Sequence, residues 1–233
     1  MARFDAFSEL FDRYAEIVDS RYRPWLVRAL AGGAGRGLDA GCGAGRYTTL
    51  LADHCETVLG VDVSAGMLEV ARERRARPGI TYQRRDLREV TAERDGRFDV
   101  VLAVAVVHHL PDPEAAVRHL AGLLAPGGRL LIVDMARPYD RWTRPRIYRQ
   151  AIGEAARELV LRRSLADAAT VLRLRLHPEW IAHVTASRAA PRPQVRERYE
   201  RALPGAEIVD LYQSCGISWQ APAQGRDDSA KPE

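Results

Sequence analysis

Three glycines at alternate positions, Gly41, Gly43 and Gly45, separate an apolar run ending at Leu38-Asp39-Ala40 from a helical pattern that opens with Arg46, Tyr47 and Thr48. Strand, glycine turn and helix start together make a ligand cradle. Glycine reaches positive φ and lets a ligand approach the backbone, and the helix N-terminus offers unpaired N–H groups and the positive end of a dipole. The spacing departs from the dinucleotide fingerprint, Gly-x-Gly-x-x-Gly. Here the third glycine arrives one residue early and Arg46 stands where the last glycine would pack, which disfavours a nicotinamide cofactor. Asp39 lies in the turn itself, and Asp62 ends the next apolar run, where a carboxylate is placed to hold two ribose hydroxyls. A ribose-bearing guest is expected.

Proton chemistry has its own candidates. The pair His108-His109 follows the apolar run 98–104, and Asp134 ends the run 129–134. In a parallel sheet the carboxyl ends of the first and fourth strands flank the ligand crevice, so one histidine faces it, and His108 is chosen. With an ordinary pKa near 6.5, that imidazole either accepts a proton from a hydroxyl or ammonium group or serves as a hydrogen-bonded structural histidine; His109 is read as structural. Asp134 either orients an acceptor or caps the next segment. His183 is a second candidate base.

The ordered motifs 38–45, Asp62, Arg85-Asp86-Leu87, Phe98-Asp99-Val100-Val101 and Leu124-Ala125-Pro126-Gly127-Gly128 resemble those of class I S-adenosylmethionine-dependent methyltransferases, in the small-molecule branch typified by the ubiquinone and menaquinone biosynthesis enzymes. The likeness covers about the first 135 residues. It implies S-adenosyl-L-methionine as cofactor, S-adenosyl-L-homocysteine as product, and an adenine contact at Asp86 with the following backbone N–H, that of Leu87. Asp39, Gly41, Cys42, Gly43, Gly45, Asp62, Val63, Met67 and Ala103 complete the implied cofactor set. The Asp/Asn-Pro-Pro-aromatic motif of nucleobase amino methyltransferases is absent after the fourth strand. The resemblance also implies an N-terminal helix closing over the site, with Tyr14 and Tyr22 as contacts, and an acceptor pocket supplied by the chain between strands five and six.

The fold implied is α/β: a Rossmann-like, doubly wound, seven-stranded sheet, mostly parallel with a reversed edge strand, plus a helical substrate-side insertion. Residues 1–30 are read as a helical lid, with Phe4, Phe7, Phe11 and Tyr14 among those at helical spacing. The core is 31–135, the insertion 136–203, the terminal hairpin 204–220 and a disordered tail 221–233. The insertion is arginine-rich, with 15 arginines against 7 acidic residues over 137–201. Arg137, Arg141 and Arg144, directly after strand five, are the arginines expected to reach an anionic acceptor. Trp180 and Tyr199 are read first as packing residues and second as ligand-stacking ones.

Composition narrows the setting. No apolar run approaches the ~20 residues of a membrane span, and no basic-then-apolar leader opens the sequence, so a cytoplasmic protein without membrane association is expected. Cys42, Cys55 and Cys215 have no zinc-site spacing, and no metal is expected. The net charge of +4 is carried almost wholly by arginine, with Lys231 the one lysine; this composition does not by itself imply nucleic acid, and none is expected as partner. Methyl transfer to an O or N nucleophile of a small molecule or short peptide in specialised metabolism is the first reading. A quinone-type C-methyltransferase and a non-catalytic S-adenosylmethionine-binding scaffold are the alternatives.

Overall fold

The computed structural model describes residues 7–137, 143–186, 189–211 and 213–223. Phe4 and Arg141 lie outside them, as does the side chain of Arg137. The chain opens with α1 (Ser8–Val18) and α2 (Arg23–Ala29), then alternates β1 (Ala34–Ala40), α3 (Arg46–Ala52), β2 (Cys55–Asp62), α4 (Ala65–Arg75) and β3 (Ile80–Arg84). After α5 (Ala92–Asp95) come β4 (Phe98–Val104), α6 (Pro113–Gly122) and β5 (Leu124–Arg137). The helices α7 (Arg144–Arg162), α8 (Leu165–Arg175) and α9 (Pro178–Ala186) follow, then β6 (Ala190–Pro191), α10 (Arg192–Ala202), β7 (Glu207–Leu211) and β8 (Ser214–Gln220).

Seven strands run in the order β3-β2-β1-β4-β5-β8-β7. Pairing is parallel from β3 to β5 and antiparallel for β5–β8 and β8–β7, so the reversed strand is β8, which lies between β5 and β7 and not at the edge where the sequence reading put it: the tight connection from β7 turns β8 back into the gap beside β5. The sequence reading did not include β6, a two-residue strand parallel to the end of β5. The chain passes outward from β1 through β2 to β3, then returns to lay β4 against the other side of β1. That reversal opens a crevice at the carboxyl ends of β1 and β4.

Both faces of the sheet are covered, so its central strands read as continuous apolar runs. On β4, Val101 and Ala103 join one core with Val117, Leu120 and Tyr199, while Val100 and Leu102 join a second with Leu26, Leu30, Leu50 and Leu51. Local signals start the helices that frame the crevice. The Ser64 hydroxyl accepts from the N–H of Met67 at the head of α4, and Asp112 accepts from that of Ala115 at the head of α6, with Pro113 in the first turn.

Two of the expected units divide. Within 1–30, α1 packs against α8, whereas α2 buries Leu26 against the sheet and belongs to the core. Within 136–203, α7–α9 form the cap, but α10 packs on α6 and β8 as a covering helix of the sheet. Periodicity reveals an apolar face without revealing which surface it meets. A third core, with Tyr14, Ile17 and Val18 from α1 and Ala155, Val171 and Leu174 from α7 and α8, holds the cap together.

Candidate active site

The N–H groups of Gly41 and Cys42 both donate to the carbonyl of Val61, at 2.8 and 2.9 Å, so β1 stays tied to β2 as the chain turns. Gly41 has φ +76°, and a Cβ there would lie 2.5 Å from Cγ2 of Val106. Gly43 has φ +52° and donates its N–H to Oδ2 of Asp62 at 2.8 Å; Oδ1 of Asp62 accepts from the N–H of Ser64 at 2.9 Å. The carboxylate is thus braced by backbone on both sides and faces a cavity of about 430 Å³ that Val63, Met67, Asp86 and Leu87 also line. Its walls combine an acid at a strand tip, an apolar slot and a glycine floor without side chains. A ribose-linked base fits that donor set.

Several expected cofactor residues act differently. A Cβ on Gly45 would collide with the Tyr82 hydroxyl, and Gly45 lines neither cavity, so it serves close packing and the left-handed entry into α3. Ala103 is fully buried in the core and lines neither cavity; the wall begins at Val104 and Ala105, because β4 runs further before it leaves the sheet. The Asp86 carboxylate accepts from Nε, Nη2 and the backbone N–H of Arg88, and the Arg88 hydrogen bond holds it below the usual carboxylate range. Asp39 is enclosed, its Oδ2 accepting from the Thr48 hydroxyl at 2.6 Å. Burial pushes its pKa up to about 7, against the lowering effect of that hydrogen bond, and the nearby Asp62 adds to the rise. Burial likewise pushes the Cys42 thiol up, which keeps it protonated.

A second cavity of about 210 Å³ adjoins the first and shares with it Gly41, Gly43, Met67, His108, His109 and His183. Between β4 and the 3₁₀ turn Val107–His109, Ala105 takes φ +56°, an uncommon conformation for a residue with a Cβ, while its N–H donates to the Val133 carbonyl at 2.7 Å. The turn that follows puts both histidines on the cavity wall. Nδ1 of His108 lies 2.8 Å from Oδ1 of Asp134, and Oδ2 of Asp134 accepts from the Tyr199 hydroxyl at 2.9 Å. Asp134 has no exposure and lines neither cavity, so it does not meet an acceptor; it holds His108.

The sequence reading also left His109 as structural, yet it lines both cavities. Its ring centroid is 3.9 Å from that of His108 and 4.7 Å from that of His183, and burial followed by these two neighbours pushes its pKa down to about 2. It is a neutral spacer between core and cap. His183 and Trp180 of α9 extend the ring series, with centroids 5.4 Å apart, and Tyr14 and Phe11 of α1 reach Trp180 at 6.0 and 5.8 Å. The Tyr14 hydroxyl donates away from the chamber to Glu154 at 3.4 Å, leaving its ring as wall. Tyr199 is core, with its hydroxyl spent on Asp134. Arg144 sits exposed at the start of α7 and lines neither cavity. Two arginines line the smaller cavity, Arg46 at the head of α3, which is paired with Asp12, and Arg175 of α8, which sequence reasoning passed over because no local mark separates it from Arg173 on the same helix.

Residues 38–132 match the family described as Methyltransferase domain. Over 107 residues the chain is 34% identical to the ubiquinone biosynthesis O-methyltransferase of Coxiella burnetii, an alignment covering 45% of each protein. The chain thus spans about half the length of the curated relatives it matches. Its fold is that of the structure described as a DhpI–SAH complex, at TM-score 0.63 and 19% identity over 95% of this chain and 94% of the other. It is also that of the N-methyltransferase NodS from Bradyrhizobium japonicum, at TM-score 0.54 and 20% identity over 91% and 86% of the two chains. Residues 38–132 thus resemble a methyltransferase domain, the fold is Rossmann-like, and the chain resembles class I S-adenosylmethionine-dependent methyltransferases of the ubiquinone-biosynthesis type. Among the described residues no helix is long and apolar enough to cross a membrane, and no group of three or more His, Cys, Asp or Glu is arranged to hold a metal ion.

Proposed function

We propose that this chain is an S-adenosylmethionine-dependent methyltransferase that methylates an oxygen or nitrogen nucleophile of a small molecule or short peptide in specialised metabolism. One observation carries the reading: the glycine floor braced by Asp62 and the imidazole held by Asp134 open onto two adjoining cavities that share Gly41, Gly43 and His108. The bound cofactor supplies a methyl group on a sulfonium, already attached to a good leaving group.

The chain's own work is then mainly positioning, which contributes roughly 7 to 11 kcal/mol when reactants are held in near-attack geometry. Asp62, lining the larger cavity at the tip of β2, receives the ribose hydroxyls, the slot at Val63, Met67 and Leu87 takes the base with Asp86 at its edge, and Asp39 faces the cationic end. Gly41, Gly43 and Cys42 let that end approach the backbone. His108 is assigned the proton. With Nδ1 committed to Asp134, its Nε2 accepts the proton of a hydroxyl as the oxygen attacks the methyl carbon, or that of an ammonium group beforehand, which frees the nitrogen lone pair for the attack. His183, on the cap side, is a second base for acceptors seated farther from His108. Tyr14 and Trp180 form the acceptor wall, while Arg137 and Arg141 are kept as candidates for an anionic acceptor on sequence grounds alone.

The O-methyltransferase relative favours oxygen over carbon as the attacking atom. The three cysteines, all unbridged, are in keeping with a reducing, cytoplasmic setting. The test is turnover: S-adenosylhomocysteine formation measured over a panel of phenols, amines and carboxylic acids. The reading predicts release with at least one class, abolished by Asp62→Ala and reduced by His108→Gln. Release unaffected by Asp62→Ala contradicts it.

A further inference from the structure

The smaller cavity ends at a buried cation that the methyl-transfer reading does not use. Arg175 is 8% exposed and lines that cavity. Its Nε and Nη2 donate to the two oxygens of Glu154 at 2.9 and 2.7 Å, and its guanidinium lies over the rings of Tyr14 and Trp180 at 5.3 and 5.4 Å from their centroids. Two nitrogens are therefore committed and both ring contacts are made, while Nη1 has no hydrogen bond among the described residues. Glu154 does not cancel this charge alone. It also meets Arg21 at 3.7 Å, the Tyr14 hydroxyl and the Gln150 amide, while Arg21 in turn meets Glu158 at 3.6 Å, so the cluster is balanced in charge and what Arg175 offers the cavity is its unused Nη1 donor. A guanidinium removed from water with an unused donor beside a cavity favours an anion there.

Size and walls define the rest of the guest. A dry cavity of about 150 Å³ accommodates benzene, so about 210 Å³ suits one substituted ring. Phe11, Tyr14, Trp180 and His183 line it with aromatic faces and edges, which favour a planar partner. Arg175, Trp180, His183, His109 and His108 form an unbroken series of ring and guanidinium contacts from the cation to the proposed base. An acceptor lying along this series meets a positive group at one end and a proton acceptor at the other.

We propose that the acceptor is a single-ring aromatic acid whose carboxylate is received by Arg175. This rests on the reading that the smaller cavity is the acceptor chamber of a methyltransferase. The probes are 3-hydroxybenzoate and its neutral near-isostere 3-hydroxybenzamide, each titrated calorimetrically into protein saturated with S-adenosylhomocysteine. A charge-assisted contact from a buried guanidinium predicts that the acid binds at least about tenfold more tightly than the amide. Arg175→Gln alone takes from Glu154 its nearest cation, so the paired variant Glu154→Gln/Arg175→Gln, which removes both charges, is measured beside it; there the preference is expected to fall within about threefold. Retained S-adenosylhomocysteine binding certifies that the variant is folded. Equal binding of acid and amide, binding of neither, or a preference that survives in the paired variant overturns the inference. Failure of the wild-type protein to bind S-adenosylhomocysteine is a different outcome, and it overturns the methyltransferase reading beneath it.

Discussion

Oδ1 of Asp134 lies 2.8 Å from Nδ1 of His108, and the same carboxylate reaches Tyr199 through its other oxygen at 2.9 Å. Because Asp134 is wholly enclosed, its effect on chemistry passes through the imidazole: an acceptor at Nδ1 favours the tautomer with the proton there and Nε2 open. Nitrogen-15 correlation spectra of the His108 ring are expected to show that tautomer, and Asp134→Asn is expected to shift it. His108→Gln is expected to lower turnover by roughly 10²- to 10⁴-fold with S-adenosylhomocysteine affinity unchanged. An unaltered tautomer in Asp134→Asn would remove the positioning role.

Gly41 and Val106 are coupled through space. A Cβ on Gly41 meets the Val106 side chain at 2.5 Å, and the backbone is left-handed at φ +76°. Gly41→Ala is expected to lose roughly 1–3 kcal/mol of stability in urea denaturation, part of it steric and part of it conformational. Val106→Ala should recover the steric part only, giving a coupling of at least about 0.5 kcal/mol in a double-mutant cycle. Strict additivity would show that the loop relaxes away from Val106.

Asp39 predicts a pH dependence with a definite sign. Its pKa is raised to about 7 from an ordinary value of 3.8, so over that window the folded protein keeps a proton that the unfolded chain releases. Stability attributable to Asp39 therefore falls as pH rises from about 4 to about 7, by at most about 1.4 kcal/mol per unit, and is flat above. Asp39→Asn still accepts the Thr48 hydrogen bond and should gain on wild type across the same window. A variant that loses ground as pH rises would reverse the sign and contradict the account.

Asp12 fastens α1 over the crevice. Its buried carboxylate takes Arg46 at 2.9 Å, Arg75 at 2.8 Å and Arg74 at 3.2 Å. Removing the acid in Asp12→Ala leaves these cations facing one another, and amide exchange across residues 8–18 is expected to accelerate well before exchange in β1 and β4. Unchanged exchange in α1 would mean that the remaining contacts, Glu16 with Arg46 and Arg75 together with the apolar packing of Tyr14, Ile17 and Val18, suffice to hold it.

What the sequence made legible was local. The glycine turn, the strand-tip Asp62, the apolar runs of β1 and β4 and the caps at Ser64 and Asp112 follow from composition and spacing within a few residues. What stayed hidden depends on partners far along the chain. Asp134 reads in the sequence as either an acceptor contact or a cap, and it is Tyr199, 65 positions away, together with His108, that encloses it. Arg175 differs from its exposed neighbour Arg173 only by the face of α8 it occupies, and that face is set by Glu154 on α7. Ala103 was one residue short of the wall, since the end of β4 is fixed by its pairing with β5 through Val104. The left-handed turn at Ala105, which brings His109 to the cavity, has no glycine to announce it.

The central claim is that the crevice at Gly41, Gly43 and Asp62 binds S-adenosylmethionine. Calorimetric titration with S-adenosylmethionine and S-adenosylhomocysteine, alongside NAD(H), tests it most directly. The account predicts roughly micromolar binding of both sulfur compounds, none of NAD(H), and loss of at least about a hundredfold in affinity in Asp62→Ala, where the two proposed ribose contacts and the brace on Gly43 are removed together. Absence of binding by wild type, or affinity untouched by Asp62→Ala, would contradict it.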